Sequence, residues 1–501
     1  RSNVMTLAEW MSFRFGNGME GKLARLVTAI TAIIFTIAMV TFFAIGGGKF
    51  LDKFLGIPSM WGLPSEFIAA TILITLAMIY TVASGLYGVV WTDVFQGILI
   101  FGAIIYIAAR AFSIDLPESF LVSMPMKDGG FQAFPISLAE WSSLMPRWTL
   151  DIDPNSSYSM YNLFGIAIFF YLLKVVYEGS GGATNYMAQR YFAAKDDREA
   201  GLLSLFWTGL LSFRWVFVAA LAIWGISLGA EITDPEMVLP TVVATLPAGI
   251  KGFLIAGLMA AAMSTFDSTV NAGAAYWVKD IYSEYVNPNA DDKSLMRQSY
   301  LSSIFIVVIG LGLMLVVKDI NEVWGWITMS VSAGMLIPFV MRWYWWRVNG
   351  YGYMIGLAAG TLAAIIWKIA TPATIADYYS FLFASTISLV GVIIGTLVTK
   401  PTDDKVVENF YRVTKPFGFW KKYKARLSPQ EVQALNTESR NDIRSLMMAI
   451  PWQLSLFLFM MSFMLKSWLQ TAVLAVILIS LSIGLYFNWY KKLSMSDTKS
   501  E

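Results

Sequence analysis

The chain has 501 residues, 57% of them hydrophobic and 14% charged, with a mean hydropathy of +0.60; soluble chains average roughly 25% charged residues, so a string of soluble domains is excluded and an integral membrane protein is specified. Cys and His are both absent, which removes disulfides, thiolate and imidazole metal sites, the cysteine nucleophile and the commonest general base, and with them ordinary redox and metallohydrolase chemistry. Lys and Arg number 36 against 34 Asp and Glu, a balance that gives no footing to a nucleic-acid partner.

A bilayer core takes about 20 mainly apolar helical residues. Runs of that kind predict twelve transmembrane helices, at 23–46, 66–86, 91–111, 161–178, 201–228, 252–279, 300–317, 323–346, 351–370, 378–398, 445–465 and 468–489. Long runs rather than short alternating ones exclude an outer-membrane barrel and give an all-α polytopic bundle. With residue 1 inside, 25 of the 36 basic residues fall on the cytoplasmic side, including the cluster between Lys400 and Arg444. The positive-inside rule therefore puts both termini of this chain in the cytoplasm, in a plasma or bacterial inner membrane.

Two stretches between spans have their own character. Residues 112–160 are acidic and carry Phe131, Phe134, Pro135, Trp141 and Trp148, the composition of an ordered external cap. Residues 400–444 are basic and polar, and Ser428-Pro429-Gln430-Glu431 is a capping box with Pro at N1 that predicts a short cytoplasmic helix. The expected organisation is a transporter core over 1–399, this basic segment over 400–444, and two C-terminal helices with a tail over 445–501.

Charges within the apolar spans are costly, so each needs a reason. Lys174 and Glu178 are spaced i, i+4 and fit either a self-neutralised structural pair or a substrate contact. Arg214 reads as a tether between helices. The fourth span ends in Tyr177-Glu178-Gly179-Ser180-Gly181-Gly182. So many glycines weaken a helix by about 1 kcal/mol each relative to Ala. That break either ends the helix or interrupts it to expose backbone groups to a buried ligand.

In the sixth span, Ala261, Ser264, Thr265 and Ser268 fall at i, i+3, i+4 and i+7, a single stripe, with Asp267 at its border. Small residues at such spacing also make helix-packing faces. Packing does not account for a carboxylate beside three hydroxyls at mid-membrane depth. Hydroxyl, carbonyl and carboxylate oxygens are what a hard monovalent cation needs in place of water, and a cation site is the preferred reading.

Four motifs carry a family resemblance. Ser84-Gly85-Leu86-Tyr87 with Trp91-Thr92-Asp93-Val94-Phe95-Gln96, Gln189-Arg190-Tyr191-Phe192-Ala193-Ala194-Lys195, Met263-Ser264-Thr265 followed by Asp280-Ile281-Tyr282, and Thr6-Leu7-Ala8-Glu9-Trp10 with Arg14-Phe15-Gly16 resemble, in order, motifs of the sodium:solute symporters. The resemblance implies a LeuT-like bundle of two inverted five-helix repeats that couples import of a small organic solute to one or two Na+ ions. It places the second-repeat half of a first sodium site on Ala261, Ser264 and Thr265, and a second site on Asp93, Ser264 and Ser268. Asp267 stands where members with that second site carry Ser or Thr, offering a second carboxylate that tightens the site or takes a proton.

The same resemblance directs attention to Tyr177, Glu178 and Ser180 on the interrupted helix, and to Trp324 and Trp326 on the eighth span, as solute contacts. Sugar-transporting members place an Asn and a gating Tyr where this chain has Tyr177 and Ser180, and a Lys where it has Leu211, which points away from a hexose. Because the Thr6 motif follows two core helices in the family, about three further helices are expected upstream of Arg1, supplying the other half of the cation site. The alternative function is a transporter-like membrane sensor of a solute. A polytopic transferase would need paired carboxylates at a membrane face, which the sequence does not offer.

Overall fold

Polar caps set the ends of the helices into which these apolar runs fold. The computed structural model describes residues 6–126, 129–145, 147–166, 168–169, 172, 191, 194–229, 232, 234–317, 320–371 and 377–493. Thr6 Oγ1 accepts the Glu9 amide at 2.9 Å and opens α1 (Leu7–Phe15). It is followed by α2 (Met19–Leu55) and α3 (Ser65–Phe112). An antiparallel hairpin comes next, β1 (Ser119–Pro125) with β2 (Phe131–Ser137), Ser119 opposite Ser137.

Asp196 caps α4 (Asp197–Leu228), and Asp291 caps α6 (Asp292–Met314). Between these two, α5 (Ala248–Ala275) runs on as a π-helix over Tyr276–Val286. A second π turn, Trp326–Val331, joins α7 (Ile320–Gly325) to α8 (Ser332–Tyr344). In both π segments a serine hydroxyl donates to the carbonyl five residues back, Ser283 to Val278 at 2.7 Å and Ser332 to Ile327 at 2.9 Å, which suits the wider turn. The chain continues through α9 (Gly350–Ala370), α10 (Asp377–Val398), α11 (Asp404–Thr414), α12 (Pro429–Met464) and α13 (Trp468–Asn488).

Nine of the described helices are long and apolar enough to cross a membrane. The expected spans 66–86 and 91–111 lie within one continuous 48-residue helix, α3; no proline breaks that stretch, and its glycines alone do not stop it. The expected span 161–178 falls largely outside the described residues. The Ser428 capping box is present, with the Ser428 amide donating to Glu431 Oε2 at 2.7 Å. The helix it opens is not short, however. It continues without interruption to Met464, because Pro451 within it does not end the apolar run.

Two units make up the chain, Arg1–Val94 with Leu163–Phe192 and Met259–Arg426, and Phe95–Asn162 with Ala193–Leu258 and Leu427–Glu501. In the first unit a core of Val40, Ala44 and Ile45 from α2, Ala70 and Ile74 from α3, Phe266 and Val270 from α5, and Ile306 and Met314 from α6 is closed by Val323 and Ile327. In the same unit α9 meets its neighbours through glycines spaced by four. A methyl on Gly360 would lie 2.5 Å from the Gly334 carbonyl oxygen, and one on Gly356 would overlap Val392, so the backbones touch as in small-xxx-small packing.

The second unit holds the hairpin, α4, α12 and α13. Its clearest ties are Trp452 Nε1 donating to Ser482 Oγ at 2.9 Å and Lys466 paired with Asp115 at 2.6 Å. Arg214 is not the expected tether. It is exposed, with its guanidinium 4.5 Å from the Trp215 ring centroid, and Trp215 itself bridges to Phe457 at 4.7 Å. An indole stacks across an apolar helix contact at far lower desolvation cost than an arginine.

A candidate cation site on the sixth predicted span

At 100° per residue, the buried residues of mid-α5 and the oxygen stripe fall on different arcs. Phe266 at 2%, Val270 at 0% and Asp267 at 0% exposure turn toward the first unit's core. Ala261, Ser264, Thr265 and Ser268 occupy the opposite arc and are half-buried. The stripe is therefore neither sealed against neighbours nor fully open. Thr265 Oγ1 donates to the Ala261 carbonyl at 3.0 Å, and Thr269 Oγ1 donates to the Thr265 carbonyl at 2.8 Å. Asp267 lies 60° around the helix from Ser264, at the boundary of the buried arc.

This is a ladder of neutral oxygens flanked by one carboxylate. Among the described residues no group of three acidic side chains converges. Divalent ions such as calcium favour several carboxylates; hydroxyls and carbonyls with low formal charge suit a monovalent ion. Thr269 was not anticipated, although its i+4 spacing from Thr265 was the available signal.

Asp93 lies on α3, and its side chain is outside the described residues. Tyr177, Glu178, Ser180 and Lys174 are outside them altogether. Of the expected solute contacts, Trp324 packs on Phe42 of α2 with centroids 5.2 Å apart. Trp326 packs against the same core as Met263 and Phe266, with its indole nitrogen buried. Hydrophobic packing thus joins α7 and its π turn to the helix that carries the oxygen stripe.

The motif residues at the far end of α5 do structural work. Asp280 is completely buried and receives Arg25 Nε at 2.7 Å. Arg25 also donates to Glu284 at 3.0 Å and to the Lys279 carbonyl at 3.1 Å. Tyr282 shares a hydrogen bond with Ser294 at 3.0 Å. Sequence reasoning did not single out Arg25; a buried carboxylate needing a cation was the signal. Arg14 is likewise buried, donating to the Arg342 carbonyl in the last turn of α8 at 2.9 Å and to the Val348 carbonyl beyond that helix at 3.1 Å. Burial lowers its pKa to about 9. Gly16, next but one, has φ +82°, a left-handed conformation open to glycine.

With the fold and the stripe in view, known proteins supply a frame. Residues 1–360 match the sodium:solute symporter family. The sodium/glucose cotransporter of Vibrio parahaemolyticus is 25% identical over 425 residues, covering 80% of this chain and 73% of that protein. The high-affinity proline transporter PutP of Bacillus subtilis is 24% identical over 421 residues, 81% of this chain and 80% of that one. The sodium/sialic acid symporter NanT of Aliivibrio fischeri is 23% identical over 416 residues, 80% and 74% respectively. Among solved structures, a substrate-bound, outward-open Na+-coupled sialic acid symporter matches with a TM-score of 0.57 at 18% identity, over 80% of this chain and 78% of that one. That likeness gives the fold, a LeuT-like helix bundle. A match over 360 of 501 residues decides the assignment: the chain belongs to the sodium:solute symporter family.

Proposed function

We propose that this protein imports a small organic solute in symport with Na+, holding the ion against the Ala261 carbonyl and the hydroxyls of Ser264 and Thr265. Asp93, Ser268 and Asp267 form a second cation position sharing Ser264. Tyr177, Glu178, Ser180, Trp324 and Trp326 contact the solute. Both termini lie in the cytoplasm, so Na+ enters down its gradient and the membrane potential adds about 2.3 kcal/mol per charge per 100 mV. Binding of Na+ favours one state of the bundle, and solute binding permits the change to the other.

One observation carries this reading: the column of oxygens on α5 is half-accessible rather than sealed, with Thr265 Oγ1 3.0 Å from the Ala261 carbonyl. Relatives are named for glucose, proline, pantothenate and sialic acid, so these four solutes form the natural first panel. In proteoliposomes with an inward Na+ gradient, uptake of one of them is expected to be stimulated by Na+ over K+. The double variant Ser264→Ala, Thr265→Ala is expected to lose that stimulation. Unchanged sodium dependence in the double variant would overturn the site.

A further inference from the structure

The second unit contains a groove of about 860 Å³ between α4, α12 and α13, within the roughly 300–1,000 Å³ span of ligand pockets. Its walls change character along the helices. Leu205, Leu446 and Ala449 are apolar, and Trp452, Tyr486 and Trp489 supply aromatic surface. Several polar groups on these helices are already satisfied, with Trp452 bonded to Ser482 and Asn488 Nδ2 donating to Ser445 Oγ at 2.8 Å and the Asn441 carbonyl at 3.1 Å. What remains for an occupant is an apolar trough with an aromatic border.

Three cations gather at one end, where α4 begins and α13 finishes. The Arg198 guanidinium lies 5.7 Å from the Tyr490 ring centroid, and Lys491 Nζ lies 5.0 Å from that of Phe487. Lys492 Nζ donates to the neutral oxygens of Asn441 at 3.2 Å and Asn488 at 3.3 Å. Among the described residues none of these three cations has a carboxylate partner. Asp442 also lines the rim, and Asp196 and Glu199 flank Arg198, with Asp196 engaged in capping α4 through the Glu199 amide at 2.8 Å.

We propose that this groove holds one anionic phospholipid, its acyl chains along Leu205, Leu446 and Ala449 and its phosphate among Arg198, Lys491 and Lys492. A free anion has no use for the apolar trough, a zwitterionic lipid gains little from three cations, and an apolar partner helix would leave them unmatched. Basic residues gathered between helices at a membrane border are the chemistry that selects anionic headgroups, and aromatic side chains mark that border.

The test is native mass spectrometry of the intact chain exchanged against phosphatidylglycerol or phosphatidylcholine. A basic residue near an anionic surface is worth about fivefold in affinity, so the protein is expected to retain phosphatidylglycerol at least tenfold better. The triple variant Arg198→Gln, Lys491→Gln, Lys492→Gln is expected to lose that preference, and Ala449→Trp, which fills the trough, to lose both lipids. Equal retention of the two lipids, or a preference unchanged in the triple variant, overturns the proposal. A measurement on the unaltered protein guards against misfolded variants: a saturable rise in Tm with phosphatidylglycerol and none with phosphatidylcholine is expected. No difference between lipids, the same rise with inorganic phosphate, or a second copy of the chain crosslinked through an Ala449→Cys variant, each refutes it.

Discussion

Arg25 of α2 and Asp280 of the π-helical end of α5 form an ion pair at 2.7 Å in which the carboxylate is wholly buried and the guanidinium nearly so. The pair ties an early helix to the one bearing the candidate cation site, across 255 residues of chain. Glu284 adds a second contact to Arg25 at 3.0 Å, and Lys22 a 3.5 Å contact to Glu284.

The two halves of this pair are expected to fail unequally. Arg25→Gln leaves the buried Asp280 carboxyl group without its cation, at a cost of about 3–5 kcal/mol. Asp280→Asn leaves Arg25 bonded to Glu284 and costs about 1–3 kcal/mol. Thermal unfolding of the purified protein in detergent measures both; equal losses would show that the asymmetry is absent.

Asp267 is completely buried beside the oxygen stripe, and its charge would add to cation binding only when ionised. Asp267→Asn is therefore expected to raise the Na+ concentration for half-maximal uptake about tenfold, a loss of about 1.4 kcal/mol. A variant with the parent's Na+ dependence of uptake would count against a role for Asp267.

Close backbone contact at α9 gives a third expectation. Gly360→Ala places a methyl 2.5 Å from the Gly334 carbonyl oxygen, and overpacking of this kind costs about 1–3 kcal/mol. Gly312→Ala on α6 meets nothing within 4 Å, and there the gain in helix propensity should leave stability unchanged or slightly raised. The difference in Tm between the two variants is the readout.

The segment after α10 responds to pH in a definite direction. Asp404 is held well below the usual carboxylate range, first by hydrogen bonds from Arg426 and Lys422, and Glu408 is lowered by Arg426 and Arg412. A carboxylate with a depressed folded pKa stabilises above its unfolded value, near about 4, and loses that contribution as pH falls through the folded value. Between pH 5 and 8 the protection factors of the α11 amides, which compare exchange with the base-catalysed intrinsic rate at each pH, are expected to stay constant. Asp404→Asn at neutral pH should lower them, since Lys422 at 2.7 Å and Tyr423 at 3.0 Å lose their charged acceptor. Protection that varies between pH 5 and 8, or that ignores the substitution, would refute the network.

Much of the architecture was legible in the chain itself. Apolar runs of bilayer length located most of the helices, since a backbone in lipid must satisfy its hydrogen bonds internally. Local cap chemistry located the start of α12 at Ser428, because capping needs only residues three apart. The i, i+3, i+4, i+7 spacing put Ala261, Ser264, Thr265 and Ser268 on one stripe before any coordinates, because helical periodicity is fixed.

Tertiary structure decided the rest. Which arc of α5 is buried depends on Val40, Ile74 and Ile306, residues that no local pattern connects to Phe266. The continuity of α3 and of α12, the Arg25–Asp280 pair and the contact of Gly360 with Gly334 each turn on which surfaces meet in space. Hydropathy and periodicity assign a residue its depth and its face, but the energy of a buried charge or of touching backbones is set by a partner far away in sequence, and only the assembled fold names that partner.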